Sequence, residues 1–325
     1  MKKTFKKIFN DIGRCLKATH KTVSYVVKRS NKTRIGTFFD LIWCRLVYQI
    51  SLREYEVFEF YLIGANKRGT YLSMREYEKM KKKLYSKEIL HILNNKPLFF
   101  ERLKKYIGRE IINVNEMSFK EFEIFAHENH NLIGRSKTKS FLSSYKIYHL
   151  ADFRSHAWML EQIKNDNNVL VEKEFEEDPL LHAVDEDFTT IVIITLHHNG
   201  KTSIVSACVK IKEEDKLING YIDVNNLCIR GHLRDNNNKI YDKNVDGYKI
   251  PSLENAFKLV SICARELSEI REIEWSVCID KYGKPYLVDA NVSEDLIFEQ
   301  TPEYLNNRIG LRGVYLKYLN RIKRW

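Results

Sequence analysis

Two runs rich in β-branched residues, Thr190 to Leu196 and Ser203 to Ile211, stand on either side of Asn199-Gly200. An Asn-Gly pair between such runs specifies a tight antiparallel hairpin, because both central residues of the favoured turn need positive φ. A second hairpin follows by the same logic, with Trp275 to Ile279 and Pro285 to Val288 flanking Asp280-Lys-Tyr-Gly283. The C-terminal half of the chain is thereby committed to antiparallel strands. Between the hairpins, Ser252 is expected to open a helix whose Phe257, Val260, Ala264, Leu267 and Ile270 form one apolar stripe. Val169 to Val171 reads as a further short strand.

The first part of the chain has a different period. From Thr37 to about Phe125 the pattern is mainly helical. Ser73-x-x-Glu76 predicts the start of a helix over Met74 to Leu84, and Ser118-x-x-Glu121 that of one over Phe119 to Glu128. A helical region, a mixed region and then strands with one long helix define an α+β class. With 325 residues, 44% of them hydrophobic, the chain can bury one large core or two ordinary ones.

Charge is concentrated at one end. The formal net charge is +11, yet residues 1–34 alone hold eleven Lys and Arg against one acid, Asp11. The rest of the chain is close to neutral, so no specific nucleic-acid partner is expected. Phe5, Ile8, Phe9, Ile12 and Leu16 fall at helical spacing with lysines on the other faces. Such a basic amphipathic helix is suited to lie on an anionic membrane surface, which makes residues 1–34 the expected membrane contact. A solvated tail, or a helix docked on the body, gives the same pattern. The most apolar stretch, Phe38 to Ile50, is interrupted by Asp40 and Arg45 and is far shorter than the roughly 20 residues a span needs. The head has no continuous apolar core of the secretory type. Six cysteines without a C-x-x-C pair or zinc-type spacing point to free thiols in a reducing, cytoplasmic compartment.

The second hairpin carries the chemistry. Side chains alternate along a strand, so Asp289 and Asn291 project to one face and Val288 and Ala290 to the other. A carboxylate and an amide oxygen two residues apart suit a hard cation such as Mg²⁺, although Asp-x-Asn after a strand is also an ordinary turn opening.

The stretch from Ile273 to Asn291, a strand, a Gly turn and a strand ending in acid-x-Asn, resembles the closing motif of ATP-grasp enzymes. More closely, the chain resembles the sugar-transfer-associated ATP-grasp family of bacterial surface-polysaccharide biosynthesis, from about Leu41 to Gln300. The likeness runs through Trp43-x-x-x-x-Tyr48, Glu54-Tyr55-x-x-Phe58, Asn95-Lys96, Val171-Glu172-Lys-Glu-Phe175 and Gly247-Tyr-Lys-Ile-Pro251, in that order. It implies an ATP-grasp two-lobed α+β fold with a helical N-terminal region. The implied organisation is a basic segment at 1–36, a mainly helical region at 37–130 leading into the first lobe, and the nucleotide-binding and C-terminal lobe at 131–325. The implied activity is a ligase that joins a carboxylate, such as a sugar acid, to an amine through an acyl phosphate, using ATP and Mg²⁺ on a small-molecule or lipid-linked sugar. Its setting is the inner face of the cell membrane. The same resemblance makes Asp289 and Asn291 the metal ligands and Glu172 the acid of the adenine hinge. Lys96, Arg135, Lys137 and Lys210 become nucleotide-facing cations, with Arg135 and Lys210 in catalysis. On this reading Asp289→Ala abolishes product formation and leaves the fold intact.

The chain departs from the family at Ser276, where a metal-binding aspartate is usual, at Val192, where an arginine is usual, and at Ser136-Lys-Thr-Lys-Ser140, which lacks the glycines of the phosphate loop. Asn226-Leu-Cys228 stands where a second glycine pair is usual. These departures support the alternative, a binding or scaffold protein that keeps the fold and has lost catalysis. By residue type alone, Glu172 fits a solvated strand end, and Arg135 with Lys137 an exposed turn. Lys210 fits a strand whose polar face meets either water or phosphate. His197-His198 is a poor metal pair, because adjacent strand residues point to opposite faces.

Overall fold

The computed structural model describes residues 2–138, 145–174, 189–213, 216–235, 239–241, 245–294, 296–302, 305 and 308–322, with backbone only at 2–13, 213 and 320–322. The chain divides into two compact units, Met1–Lys83 with Glu294–Trp325, and Leu84–Ser293. This division follows packing and cuts the chain elsewhere than the segments 1–36, 37–130 and 131–325, which follow composition and resemblance.

The first unit is helical. α1 (Lys2–Arg29) packs on α2 (Arg34–Val47), followed by α3 (Leu52–Val57), α4 (Ala65–Arg68) and α5 (Met74–Leu84), and a C-terminal helix spans Arg312–Ile322. Local start signals set these boundaries. The Thr33 hydroxyl accepts from Gly36 N, and Ser51 with Glu54 forms a complete capping box. Ser73 caps α5 through Glu76 N, while the Glu76 carboxylate accepts from Arg312. Val26, Leu41, Cys44, Tyr55, Phe58 and Phe60 make the core. Val23 and Val26 of α1 are buried, so the later part of the basic helix is docked on its own unit. Leu16 is exposed, and the side chains of Phe5, Ile8, Phe9 and Ile12 lie outside those described.

One polar knot ties this unit. Asp40 accepts from Arg68 Nη1 at 2.6 Å, Arg68 Nη2 at 2.9 Å and the Tyr55 hydroxyl at 2.6 Å. The buried Arg68 also donates to Ile63 O and Phe60 O. Burial works to raise the Asp40 pKa, but the bonds from Arg68 and Tyr55 prevail and hold it below the ordinary carboxylate range. Replacing Asp40 by Ala leaves Arg68 short of its charge partner and should cost about 2–3 kcal/mol at neutral pH. Because the folded pKa is depressed, this contribution is present above the unfolded value near 4 and is lost as pH falls through the lower folded value. Urea unfolding at pH 7 and pH 3 should therefore separate Asp40→Ala from wild type at the first pH far more than at the second.

The second unit is α+β. α6 (Lys87–Asn94), α7 (Lys96–Ile107), α8 (Phe119–Asn129), α9 (His156–Asn165) and α10 (Leu253–Glu266) accompany two antiparallel sheets. The four-stranded sheet contains β1 (Ile111–Asn113), β2 (Asn131–Ser136), β3 (Lys146–His149) and β4 (Asn168–Lys173), in the order β1-β4-β2-β3. The six-stranded sheet contains β5 (Thr189–His198), β6 (Lys201–Glu213), β7 (Lys216–Asp223), β8 (Cys228–Asp235), β9 (Glu272–Ile279) and β10 (Pro285–Asn291), in the order β10-β9-β5-β6-β7-β8. The hairpin expected at Asn199-Gly200 joins β5 to β6, with φ of 50° and 73° at the two turn residues. The second hairpin joins β9 to β10, and the Asp280 carboxylate accepts from Tyr282 N and Lys284 N to fix its turn.

Alternation sorts the large sheet into two faces. Ile191, Ile193, Val209, Trp275, Val277 and Leu287 pack in the main core with α7 and α10. The Trp275 indole N–H donates to Thr195 Oγ1 at 2.8 Å, so this buried ring leaves no polar group unmet. Ser252 opens α10 as expected, whereas the apolar stripe outlasts the helix. Ser252 precedes the helix at φ 52° with no side-chain cap, and the helix stops at Glu266. Leu267 and Ile270 reach the core from the turn that follows, where Ile270 N donates to Leu267 O. One face of the small sheet packs on α8 and α9 through Phe122, Leu132, Tyr148, Met159 and Val171. Its other face meets the large sheet, where Ile133 packs against Cys278 and Val288.

Candidate functional site

The two sheets of the second unit meet around a buried cluster of charged side chains drawn from distant parts of the chain. Asp289 and Asn291 lie on one face of β10 and flank a single ammonium group. Lys96 Nζ is 2.8 Å from Asp289 Oδ1, donates to Asn291 Oδ1 at 2.8 Å and to the Ala290 carbonyl at 2.7 Å. Asp289 also accepts from Ala290 N and from Asn291 Nδ2. Only 3% of the Lys96 side chain and 1% of the Asp289 side chain is exposed.

Lys96 is positioned by its own helix. It is the first residue of α7, and its backbone N–H donates to Lys137 O at 3.0 Å. A cation at a helix N-terminus opposes the helix dipole, so an acid facing it offsets an unfavourable placement.

Glu172 sits beside this pair, on the face of β4 that meets the large sheet. It is fully buried and bridges Arg109 and Arg135, with Arg135 Nε 2.9 Å from Glu172 Oε1. Arg135 Nη1 donates to Val288 O at 2.6 Å, and its guanidinium stacks 4.5 Å over the Phe100 ring. Arg109 Nη1 donates to Leu287 O at 2.6 Å. The two arginines thus grip successive carbonyls of β10 next to Asp289. Burial pulls the Arg135 pKa down, while the charge of Glu172 pulls it back up. An arginine stays charged regardless.

Neither the solvated strand end for Glu172 nor the exposed turn for Arg135 describes these residues: both are buried in the sheet-to-sheet contact. Lys137 is exposed, and its backbone carbonyl accepts from Lys96 N. Lys210 lies on β6, 3.6 Å from Glu274, which pairs in register with Asn291. Lys210 therefore joins the edge of the cluster through Glu274. Ser276 stands opposite Asp289 and Val192 opposite Ser276, so the two departures from the family pattern share one row with the carboxylate. Asn226 occupies a turn in which Asp223 accepts from Asn225 N, Asn226 N and Asn226 Nδ2. Lys139, Ser140 and the run from Phe175 to Glu177 lie outside the described residues.

Arg109 was not legible in the sequence. It follows Gly108, whose φ of 71° ends α7 in the left-handed conformation that glycine tolerates and turns the chain into β1. A Gly-Arg step after a helix is too common to single out. Next to Arg109 lies a cavity of about 480 Å³, lined by Phe125, Lys173, Glu174, Tyr282 and Tyr286 among others.

The oxygens of Asp289, Asn291 and Ala290 converge on one cation, a donor set of the hard type that Mg²⁺ takes. The cation they hold is an ammonium, at hydrogen-bond distances of 2.7–2.8 Å. A divalent ion on Asp289 and Asn291 would require Lys96 to leave these oxygens. Among the described residues no group of three or more His, Cys, Asp or Glu side chains is placed to hold a metal. His197 is buried with Nδ1 2.9 Å from Thr202 Oγ1, and burial lowers its pKa.

Fold and site define an α+β protein with a buried, cation-rich cluster between two antiparallel sheets. No family model matches the chain, and no curated protein matches it. Among solved structures it is similar to L-amino acid ligase from Bacillus licheniformis, at 11% identity over 64% of this chain and 43% of that one, with a TM-score of 0.40. It is similar to N5-carboxyaminoimidazole synthetase from Staphylococcus aureus complexed with ADP, at 11% identity over 61% and 44%, with a TM-score of 0.41. It is also similar to D-alanine–D-alanine ligase from Bacillus anthracis, at 14% identity over 72% and 66%, with a TM-score of 0.42. The chain spans less than two thirds of the length of each of these proteins.

Proposed function

We infer that the chain is an ATP-grasp ligase that uses ATP to join a carboxylate to an amine. The observation that carries this reading is the assembly of Lys96, Arg135, Glu172, Asp289 and Asn291, from four separate stretches, into one cluster between two antiparallel sheets. Residues 131–325 supply most of this part, and α7 contributes Lys96.

In the reaction, a carboxylate oxygen takes the terminal phosphoryl group of ATP, giving an acyl phosphate and ADP. The amine then attacks the carbonyl carbon, phosphate leaves, and the amine proton passes to water. Catalysis of this kind rests on positioning and on cations near phosphate oxygens. Lys96 holds the place of a cation before nucleotide arrives and turns to the phosphates when they enter, freeing Asp289 and Asn291. Mg²⁺ held by those two residues would neutralise phosphate charge. Arg135 stays gripped by Glu172 and Val288 O and presents a fixed positive edge. Glu172 orients both arginines and borders the adenine end of the cleft. Lys210, tethered to Glu274, serves the far side of the same sheet face.

In the finer form of this reading, the carboxylate belongs to a sugar acid of a surface-polysaccharide precursor, lipid-linked at the inner membrane face, and the basic residues 1–34 contribute to holding the enzyme there. The support is the family resemblance and the charge of the head. The test is trapping of the acyl phosphate: with ATP, Mg²⁺, a panel of sugar acids and hydroxylamine, a hydroxamate and an equal amount of ADP should form. ADP release without hydroxamate for every acid offered would remove the acyl-transfer assignment.

One observation favours a second reading, a binding protein that keeps the fold without catalysis. Lys96 already satisfies Asp289, Asn291 and Ala290 O, while Ser276 and Val192 leave the row beside Asp289 without a second carboxylate or an arginine. In that case neither ATP nor Mg²⁺ perturbs the chain.

A further inference from the structure

We propose that the outward face of α2 is a docking surface for an anionic lipid membrane, with the helix lying in the plane of the headgroups. α2 is 14 residues long, or about 21 Å at 1.5 Å per residue. Its inward side buries Thr37, Leu41 and Cys44. Its other side is almost wholly apolar and open: Ile35 is 73% exposed, Phe39 65%, Ile42 38%, Trp43 59%, Leu46 74% and Val47 47%. These residues recur at intervals of three and four, so they form one continuous stripe along the helix. Phe38 extends it, its ring edge-on to Phe39 at 5.8 Å. Single exposed apolar residues are ordinary on a folded protein, but a full helical face of them marks a contact surface.

Charge selects the occupant. From Ile12 to Arg53 the chain has nine Lys and Arg and one acid, Asp40. That acid is consumed by Arg68 and Tyr55 within the fold. Lys17, Lys21, Lys28, Lys32, Arg34 and Arg45 are all exposed on α1, α2 and the turn between them. An apolar stripe accompanied by basic side chains on the same unit fits a surface that is anionic outside and apolar beneath, which is the cross-section of an acidic bilayer leaflet. A second copy of the chain would bring the same positive charge against it, which disfavours self-association through this face. No helix among the described residues is long and apolar enough to cross a membrane, so the contact is in-plane.

This assignment does not depend on the ligase reading, and it changes the role of the basic head. Residues 1–34 supply charge, and α2 supplies the apolar element that enters the leaflet. Removing the head is not a clean test, because Val23 and Val26 belong to the first unit's core.

The experiment is co-sedimentation of the full chain with phosphatidylcholine vesicles, with and without phosphatidylglycerol, at low and high salt. Wild type should sediment with the phosphatidylglycerol vesicles only, and less as salt rises. The pair Phe39→Glu and Trp43→Glu should weaken that binding by at least about tenfold, since it places charge in the apolar stripe. Ile35→Gln with Leu46→Gln provides a milder second variant, and unchanged melting shows that both pairs fold. Equal vesicle binding by wild type and both variant pairs would overturn the proposal. So would failure of wild type to sediment with anionic vesicles, or a dimer of wild type that becomes a monomer in the variants.

Discussion

Asp289→Ala should lower the unfolding free energy of the chain by roughly 3–5 kcal/mol, because it strips a buried ammonium of its counter-charge. Lys96 is the group left behind, and only 3% of its side chain is exposed. Lys96→Met should cost a similar amount by leaving the carboxylate alone, while Lys96→Met with Asp289→Asn should recover most of the loss. The pair then shows a coupling of a few kcal/mol in a double-mutant cycle, readable by urea unfolding. Losses below about 1 kcal/mol for both single variants would be the values of an exposed pair and would contradict the burial described. This result bears on function directly. The sequence alone made Asp289→Ala a variant that is inactive yet folded, whereas the structure makes Asp289 a stabilising residue as well. Inactivity of that variant therefore needs the double variant beside it before it says anything about phosphate chemistry.

Glu172→Gln should be nearly as damaging, again about 3–5 kcal/mol, although it preserves the shape of the side chain. Two buried guanidinium groups face the one carboxylate, so removing its charge leaves Arg109 and Arg135 to repel one another between the sheets. Adding Arg109→Gln to Glu172→Gln should restore a substantial part of the loss, since one of the opposed cations is then gone. Thermal unfolding of the single and double variants reads this out. A Glu172→Gln variant as stable as wild type would mean that shape, and not charge, matters at this position.

Much of the fold could be read from the sequence because it is locally encoded. The Asn199-Gly200 turn, the Asp280 to Gly283 turn and the capping box at Ser118 each depend on residues a few positions apart, and all three form. The start of α10 also lies where the sequence puts it, directly after Ser252, though by a different local device. A serine before an apolar stripe is the ordinary cap, but Ser252 takes a left-handed conformation and makes no cap bond. The apolar stripe forms, with its last two members carried by a turn and not by helix. Strand alternation puts Asp289 and Asn291 on one face, and they do converge on one cation. Val288 and Ala290 do not share the other face, because the register shifts between Leu287 and Asp289 and leaves Val288 against Ile133 while Ala290 packs in the main core.

What alternation cannot show is which cation. Lys96 lies 195 positions from Asn291, and no periodicity links a helix N-terminus to a strand end at that distance. Arg109 was invisible for the same reason, and Glu172 looked solvated because it opens an acidic run. The exposed face of α2 was legible in principle. Phe38 to Ile50 stood out as too short to span a membrane, but its spacing at intervals of three and four was the more informative property.

If the cluster of Lys96, Arg135, Glu172, Asp289 and Asn291 is a nucleotide site as proposed, nucleotide stabilises the folded chain. The most direct measurement is the thermal unfolding of the full chain with ATP and Mg²⁺ at rising concentration. A nucleotide that binds only the folded chain should stabilise it by about 2.7 kcal/mol at one hundred times its dissociation constant. Wild type should show a saturable rise in melting temperature with ATP and Mg²⁺, weaker in a folded Lys96→Met and Asp289→Asn double variant. A melting temperature unmoved by millimolar ATP and Mg²⁺ in wild type would contradict the proposal, and would leave the cluster as a structural ion-pair network.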